Sequence, residues 1–449
     1  MNAVSTVYVA LTIAGLVVSE WLIPADNRQH WTWTSRALLL AIALLGCLHA
    51  SLERWTAAAP AEDRGAVRRG MRLFLVCAAA FLAATVLVGF QGDYGTFRMI
   101  WAVVLRGGDP WWGRPLNAYG PAFNALALLT PPTPLAPKVL FAFAYLMLVA
   151  WLAAVVAPRR YPGGPIWPVA ILAVMNPLAW IEQVHWGNFD VLVAVACVAA
   201  IDARVKGKDV ASGAWLGIGI ALKFFPAVLV PVLAFDRGRL RMKLLAACAG
   251  VLAAGFGASL LLWGTSTARP LIFAGSRQSV NSLFSFLRGP ISPLRLVWDA
   301  PDVDWLSTPL LLAAIVAVSL WCLRTRVEPA RAGLAAVLAG LLFYRTGLTR
   351  YQVIVAAVLA YWALTERDPR SPRRMLTLWL VCYLAWLTFC DGAGWLDAVT
   401  SVGSTQPYAV VRAMRLVAGR AWGPVIFILE CSLLAGLTLA RRERAHSFD

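Results

Sequence analysis

A carboxylate follows a membrane-length apolar run near the start of the chain. Asp93 lies in the stretch FQGDYGTF, within three residues of the end of the apolar run Met71–Phe90. An acid at this boundary is either an ordinary solvated loop residue or a general base that accepts a proton from a substrate hydroxyl. The spacing alone leaves both interpretations open.

The segment after Asp93 is a long loop, residues 91–137, between two apolar runs. Its first part has apolar residues at helical spacing, which predicts an amphipathic helix that lies on the membrane surface. These residues are Tyr94, Phe97, Ile100, Trp101 and Leu105. Its second part is rich in glycine and proline, which predicts a shaped, non-helical loop. A second acid in this part, Asp109, is a reserve candidate for the base.

Polar side chains interrupt two further apolar regions. The stretch EQVHWGNFD places Glu182, His185, Asn188 and Asp190 within nine residues, and Lys223 lies between apolar flanks in GIALKFFPAVLVP. Ionisable groups inside a membrane are costly unless they have partners. Lys223 therefore either extends its ammonium to the lipid headgroups or pairs with an anion.

Two later loops, at residues 264–306 and 343–352, combine cations and amides with apolar residues. Their candidate polar residues are Arg277, Gln278, Ser279, Arg345, Arg350, Tyr351 and Gln352. Such a mixture suits the headgroup of an amphiphilic substrate, and it equally suits an ordinary interfacial helix. The sequence contains no P-loop, no GxGxxG after a strand, no HExxH and no GxSxG. Nucleotide-driven pumping and nucleotide-sugar chemistry on a soluble domain are therefore not expected.

The whole chain has the composition of an integral membrane protein. Of its 449 residues, 60% are hydrophobic and 14% are charged, and the mean hydropathy is +0.69. Soluble domains have about 25% charged residues. Apolar runs of membrane length, about 17 to 25 residues, recur from one terminus to the other, so no large soluble domain is expected. The first run, Val7–Ile23, lacks a basic n-region and a convincing cleavage site, and we expect it to remain as a helix.

The basic residues predict the orientation of the chain. The net charge is +17, and 24 of the 40 Lys and Arg residues lie in short loops that the positive-inside rule assigns to the cytoplasm. This distribution predicts anionic lipid, and not nucleic acid, as the charged partner. Both termini are then cytoplasmic, with about 12 crossings. The loops that contain Asp93, His185, Gln278 and Arg345 all fall on the outer face.

One stretch, residues 211–235, does not fit a simple crossing. A single crossing there would place the basic segment DRGRLRMK on the outer face, against the positive-inside rule. Lys223, Pro226 and Pro231 would also interrupt a continuous helix. We therefore predict a re-entrant or broken pair of half-helices, which a membrane protein tolerates where the segment lines a cavity.

Transfer of a sugar from a lipid phosphate fits one acid, several cations and an outward-facing site. Phosphate leaves as an anion, so it needs positive charge and no general acid, and a single carboxylate can deprotonate the acceptor. The order of motifs across residues 71–365 resembles the membrane glycosyltransferases of the GT-C superfamily. It is most similar to glycosyltransferase family 87, whose members use polyprenyl-phosphate mannose. The motifs are GDYGTF, GGDPWW, NAYGPAFNAL, WGNFD, GIALKFFPAVLVPVL and RQSVNSLFSFLR.

The resemblance implies a metal-independent, inverting transfer without a cofactor, with the base in the first external loop, here Asp93. Matching family positions are Gly187, Asn188, Asp190, Lys223, Phe224, Pro226, Gln278 and Ser279. The chain departs from the family at Asn188, where glutamine is usual, and in the late external loop, where a histidine is usual. In place of that histidine, either Arg345 and Arg350 or His185 would hold the leaving phosphate.

These considerations predict a role for each candidate residue, with Asp93 as the catalytic base. The donor phosphate is expected at Lys223, Arg345, Arg350, His185 and Arg277. The sugar and the acceptor are expected at Asp109, Tyr119, Asn188, Asp190, Gln278, Ser279, Tyr351 and Gln352. The expected partners are a polyprenyl-phosphate sugar, a glycolipid or glycan acceptor, and membrane lipids.

We therefore predict an all-α, polytopic GT-C-type bundle with three parts. Residues 1–54 form a two-helix extension, residues 71–365 the catalytic core, and residues 366–449 the C-terminal helices and a basic tail. The predicted activity is transfer of a hexose, with mannose as the first choice, at the outer face of the cytoplasmic membrane. The alternatives are transfer of a pentose such as arabinose, transport or flipping of a lipid-linked glycan, and an inactive glycan-binding relative. A transporter predicts inverted repeats, and the two halves of the sequence show no convincing similarity.

Overall fold

The computed structural model covers most of the predicted membrane core. The described residues are 28–57, 64–90, 92–112, 117–131, 133–159, 166–176, 179–236, 239–276, 278–279, 282–288, 292, 294, 302–346, 349–366, 377 and 427–437. The predicted span at Val7–Ile23 lies outside them, as do the candidate phosphate ligand Arg277 and, except for Thr377, the predicted span at residues 374–390.

The described chain is almost entirely helical. In chain order the helices are α1 (Arg28–Thr56), α2 (Arg64–Val88), α3 (Gly92–Leu105), α4 (Pro121–Ala125), α5 (Ala136–Trp151), α6 (Trp167–Val174), α7 (Asp190–Val205), α8 (Asp209–Leu222), α9 (Val230–Ala234), α10 (Met242–Trp263), α11 (Arg269–Ser276), α12 (Leu283–Arg288), α13 (Ser307–Thr325), α14 (Pro329–Leu342), α15 (Gln352–Thr365) and α16 (Phe427–Leu437). Two π-helical turns are at Leu152–Val156 and Trp180–His185, and 3-10 turns are at Leu126–Leu129, Ala157–Arg159, Phe225–Leu229, Gly264–Ala268, Asp304–Leu306 and Thr349–Tyr351. A short hairpin pairs β1 (Phe235–Asp236) antiparallel with β2 (Arg239–Leu240).

Several helical stretches are long and apolar enough to cross a membrane. Within the described residues there are five, at Thr32–Thr56, Gly65–Val88, Ala136–Arg159, Met242–Phe273 and Asp304–Thr325. Five shorter apolar helices accompany them. The predicted class, a helical membrane protein, is confirmed at this level. The number of 12 crossings remains a prediction.

The chain folds into two compact units, each of which is made of stretches that are not continuous in the sequence. The first unit comprises residues up to Ala196 together with Ile218–Phe224 and Val251–Pro270. The second comprises Cys197–Gly217, Phe225–Gly250 and the residues from Leu271 onward. The three-part division at residues 54, 71 and 366 describes order along the sequence, and it remains a prediction.

In the first unit, α1 packs on α2 and α5, and α2 also packs on α6 and on the π-helical turn before α7. The predicted helix after Asp93 is present as α3, but its apolar face does not lie on the membrane surface. Tyr94, Phe97 and Trp101 are fully buried and contact other aromatic rings of this unit, among them Phe123 and Phe141. The surface location was a wrong prediction, because an apolar stripe has the same sequence pattern whether it faces lipid or protein.

In the second unit, α14 packs between α13 and α15. Two glycines on α14 allow close approach of its neighbours. A Cβ at Gly333 would lie 2.6 Å from Cδ1 of Ile201, and one at Gly340 would lie 3.0 Å from Cγ1 of Val228. Small residues of this kind bring membrane helices into contact where burial from water cannot drive association.

The predicted break within residues 211–235 is present. Helix α8 ends at Leu222, Lys223 and Phe224 are not helical, and a 3-10 turn begins at the next residue. The loop before α4 fits tightly against the end of α8. The amide of Gly120 donates to the carbonyl oxygen of Leu222 at 3.2 Å, and a Cβ at Gly120 would lie 2.1 Å from the carbonyl oxygen of Ala221. Only glycine permits this approach, which connects the long first loop to the broken segment.

Candidate active site

Asp93 lies in the first turn of α3, shortly after the end of α2. The chain turns between these helices at Gly89, whose φ of +68° is readily adopted only by glycine. The Asp93 side chain is half-buried. A carboxylate in the first turn of a helix interacts favourably with the helix dipole, and half-burial leaves part of this side chain accessible to a substrate.

Tyr94 fixes the turn that contains Asp93. Its backbone N–H donates to the carbonyl oxygen of Trp186 at 3.2 Å. Its hydroxyl donates to the carbonyl oxygen of Pro134 at 2.6 Å and accepts from the backbone N–H of Lys138 at 3.3 Å. Burial raises the pKa of the Tyr94 phenol, so the hydroxyl remains protonated and keeps these bonds. Asp93 therefore begins a helix held from two sides.

Lys138, which sequence reasoning did not select, lies beneath the same turn. Its side chain is fully buried, and its Nζ donates to the carbonyl oxygen of Gly89 at 2.8 Å. Gly187, with φ of +60°, leaves room for it, since a Cβ there would lie 2.9 Å from Cε of Lys138. The only sequence signal was a lysine within the first residues of an apolar run.

Two predicted site residues, Asp190 and Lys223, pair with each other. Both are buried, and Nζ of Lys223 donates to Oδ1 of Asp190 at 2.5 Å. The same ammonium lies 5.6 Å from the ring centroid of Phe189. Asp190 begins α7, and Lys223 lies in the break after α8. The anion that the sequence required for Lys223 is therefore Asp190.

Asn188 is held by the π-helical turn Trp180–His185. Its backbone N–H donates to the carbonyl oxygen of Glu182 at 2.9 Å, and its Nδ2 donates to the Glu182 carboxylate. Glu182 and Asn188 are buried, whereas His185 on the same turn is exposed. Turns of this kind are often found at functional sites. The structure thus leaves His185 accessible while Asn188 is fixed in the interior.

Several buried polar atoms in this region have no hydrogen-bond partner among the described residues. They are Oε1 and Nε2 of Gln183, Oδ1 of Asn188 and Oδ2 of Asp190. Buried polar groups are usually paired, and unpaired ones often indicate function. Gln183 is therefore a further candidate that the sequence pattern did not single out.

An aromatic cluster joins α3 to these polar residues. The ring of Phe97, one turn after Asp93, lies 5.5 Å from the ring of Phe189 and 5.6 Å from the ring of Tyr119. The rings of Tyr119 and Phe123 are 4.4 Å apart. These ring contacts connect α3, which contains Asp93, to Tyr119 and to Phe189, the residue between Asn188 and Asp190. Tyr119 itself is half-buried in the cluster.

In the second unit, Asp304 organises the segment that contains the predicted residues Gln278 and Ser279. Oδ1 of Asp304 accepts from Oγ of Ser279 at 2.5 Å, and Oδ2 accepts from its backbone N–H at 2.9 Å. Arg288 donates to Oδ2 of Asp304 at 3.3 Å and to the carbonyl oxygen of Ser279 at 3.0 Å. Ser279 is buried and Gln278 is exposed. Ser279 therefore holds the segment in place, and Gln278 is the accessible side chain.

Replacement of Asp304 by alanine should release this segment. The loss of a buried acceptor with three donors is expected to lower the free energy of unfolding by about 3 kcal/mol, and sugar transfer should fall with it. Thermal unfolding in detergent and a transfer assay measure both effects. Glu328→Ala, which removes an exposed carboxylate before α14, is the matched control. If Asp304→Ala unfolds at the same temperature as this control, Asp304 does not hold the segment.

The remaining predicted residues of the second unit lie around α15. Arg345 and Arg350 are half-buried. The ring of Tyr351 lies 5.5 Å from the ring of Phe225. Nε2 of Gln352 donates to Oε1 of Glu430 at 3.2 Å. The amide of Gln352 thus bonds to another side chain of the protein, whereas the two arginines are partly exposed.

Comparison with known proteins identifies a family. The model of glycosyltransferase family 87 matches residues 117–390, more than half of the chain. A comparison with curated proteins gives no match. The matched segment contains every predicted site residue except Asp93 and Asp109. The chain therefore belongs to glycosyltransferase family 87 and is a membrane glycosyltransferase.

Proposed function

We propose that the protein transfers a hexose, with mannose as the first choice, from a polyprenyl-phosphate donor to a glycolipid or glycan. The reaction would take place at the outer face of the cytoplasmic membrane, with both termini in the cytoplasm. The observation that carries the proposal is the position of Asp93 in a membrane protein of this family. The acid is half-buried in the first turn of a helix that Tyr94 holds in place. This geometry supports a base and not a freely solvated loop acid.

In this reaction, Asp93 accepts the proton of an acceptor hydroxyl as its oxygen attacks the anomeric carbon of the sugar. A bond forms between that oxygen and the anomeric carbon, and the bond between the anomeric carbon and the phosphate oxygen breaks. The electron pair leaves with the polyprenyl phosphate. Attack opposite the leaving group inverts the configuration, and no metal is needed because phosphate already leaves as an anion.

The departing phosphate requires cations, and the candidates differ in their exposure. His185 is exposed, and Arg345 and Arg350 are half-buried. Lys223 already pairs with Asp190, so it would bind a phosphate only as a bridge between two anions. We assign the phosphate first to His185, Arg345 and Arg350, with Arg277 and Lys223 as further candidates. Among the predicted sugar ligands, Gln278 is exposed and Tyr119 and Asp109 are half-buried, and we assign the sugars first to these three. Asn188, Asp190, Ser279, Tyr351 and Gln352 are buried and are further candidates.

The proposal is tested with purified protein in lipid nanodiscs. Polyprenyl-phosphate mannose labelled in the sugar is supplied with manno-oligosaccharide and mannosyl-lipid acceptors, and the labelled product is quantified. Polyprenyl-phosphate glucose and polyprenyl-phosphate arabinose test the sugar, and a nucleotide sugar is the negative control. We expect labelled product from a polyprenyl-phosphate hexose only. Product from the arabinose donor alone would favour pentosyl transfer, and movement of lipid across the bilayer without product would favour a flippase.

A further inference from the structure

The tryptophan pair of the first external loop is divided between the interior and the solvent. Trp111 is 4% exposed, whereas the adjacent Trp112 is 67% exposed. Exposure of a large aromatic ring forfeits the gain from burying it, roughly 25 cal/mol per Å² of apolar surface. Trp112 is therefore a candidate contact for a ligand, provided that the protein holds it in a fixed position.

Trp111 and its neighbours hold this part of the loop in place. Nε1 of Trp111 donates to the carbonyl oxygen of Tyr119 at 3.1 Å, and its backbone N–H donates to Oδ1 of Asp109 at 2.9 Å. The rings of Trp111 and Trp263 are 5.5 Å apart. Nε1 of Trp263 donates to the carbonyl oxygen of Gly108 at 3.0 Å. The loop is thus joined to the end of α10 through both side chains and backbone.

Arg269 fixes the exposed ring itself. Its guanidinium carbon lies 3.9 Å from the ring centroid of Trp112, which places the cation against one face of the ring. Its Nη1 lies 3.5 Å from the carbonyl oxygen of Trp111. A guanidinium on the π face is attracted by the ring quadrupole. One face of Trp112 is therefore covered by Arg269, and the exposed area of the side chain remains for a ligand.

The position of this group relative to the membrane follows from α10. That helix has 22 residues, so it is about 33 Å long, close to the hydrocarbon thickness of about 30 Å. Trp263, its last residue, has the usual location of an interfacial tryptophan. Arg269 follows after the turn Gly264–Ala268, near the end of the apolar stretch Met242–Phe273, so we place Arg269 and Trp112 at the membrane interface.

The chemistry of the group favours a carbohydrate. The C–H bonds of a pyranose carry partial positive charge and pack on the electron-rich face of an indole. Asp109 offers carboxylate oxygens and Arg269 offers N–H groups, which together suit sugar hydroxyls. An anionic lipid headgroup would be attracted by Arg269 but repelled by Asp109, so this pair of opposite charges does not favour it. The same loop is connected to the base, because Tyr119, which bonds Trp111, packs on Phe97, one turn after Asp93.

We propose that Trp112, Arg269 and Asp109 form a binding site for a pyranose ring of the acceptor glycan, here called the tryptophan platform. The proposal rests on the proposed function, since it assigns the ligand to the acceptor side of that reaction. The platform binds a sugar of the acceptor away from the reacting hydroxyl. Binding there lengthens the residence of the acceptor beside Asp93 without changing the chemical step.

The kinetic test compares Trp112→Ala, Trp112→Phe and Trp305→Ala in nanodiscs. Trp305, in the second unit, is 61% exposed and is the matched control. With mannotriose as acceptor, we expect Trp112→Ala to raise the acceptor KM about tenfold, consistent with the loss of one aromatic contact. The donor KM and kcat should remain near those of the wild type. Trp112→Phe should retain most of the affinity, and Trp305→Ala should match the wild type. An unchanged acceptor KM in Trp112→Ala overturns the platform.

A binding measurement without donor separates the platform from the proposed function. The contribution of Trp112 to the fluorescence is obtained as the difference between the wild type and Trp112→Phe. This Trp112 signal is then measured as mannotriose, maltotriose or cellotriose is added. Perturbation of the Trp112 signal by a trisaccharide supports the platform even if no transfer is found. A lack of response to all three overturns it, as does quenching of that signal by brominated lipid, which would assign Trp112 to the bilayer. Absence of product from the wild type contradicts the proposed function alone.

Discussion

Substitution of Asp93 by asparagine is expected to lower kcat for sugar transfer by about 10² to 10⁴-fold, the usual contribution of a general base. Asparagine has nearly the same shape, so the first turn of α3 should keep its backbone geometry, but an amide cannot accept the proton of the acceptor hydroxyl. The donor KM should change little, because Asp93 is proposed to act on the acceptor. The measurement is steady-state transfer from polyprenyl-phosphate mannose in nanodiscs.

The control for Asp93→Asn must separate chemistry from folding. Glu328→Gln makes the same change of carboxylate to amide at an exposed residue before α14, and it should retain activity. Matched thermal unfolding of both variants shows whether α3 is intact. A folded Asp93→Asn variant with activity near that of the wild type would contradict the assignment of Asp93 as the base.

The second large effect is expected at the buried pair of Asp190 and Lys223. Lys223→Met removes the cation and leaves a buried carboxylate without its partner, which costs about 3 to 5 kcal/mol in the free energy of unfolding. Lys206→Met is the control, because Lys206 pairs with Asp202 at a site where its side chain is 38% exposed, and exposed pairs contribute about 0 to 1 kcal/mol. Thermal or denaturant unfolding in detergent compares the two variants. Equal stability of the two would contradict the buried pair.

A double variant separates the structural role of this pair from a role in phosphate binding. Asp190→Leu with Lys223→Met replaces both charges with apolar groups, and such replacements are often neutral or stabilising. We expect the double variant to unfold close to the wild type, in contrast to Lys223→Met alone. Its donor KM then reports on function in a folded protein. A raised donor KM supports a role of this pair in donor binding, whereas an unchanged donor KM assigns the pair to structure alone.

The sequence by itself predicted features that depend on local composition. The hydropathy predicted a helical membrane protein, and the prolines around Lys223 predicted the break that separates α8 from the turn at Phe225–Leu229. Helical spacing after Asp93 predicted α3. The free-energy cost of burying an ammonium group in an apolar segment predicted that Lys223 needs an anion. Each of these predictions follows from free energies of transfer or helix periodicity, which act along a short stretch of chain.

Only the tertiary structure decided which groups meet. It identified Asp190 as the partner of Lys223, Asp304 as the acceptor for Ser279, and Lys138 as the cation beneath the turn before Asp93. It also placed the apolar face of α3 against protein and not lipid. These outcomes depend on how helices rotate and approach one another, and hydropathy is the same for a side chain that faces lipid or a neighbouring helix. Side-chain pairing between distant residues therefore cannot be read from the spacing of residues along the chain.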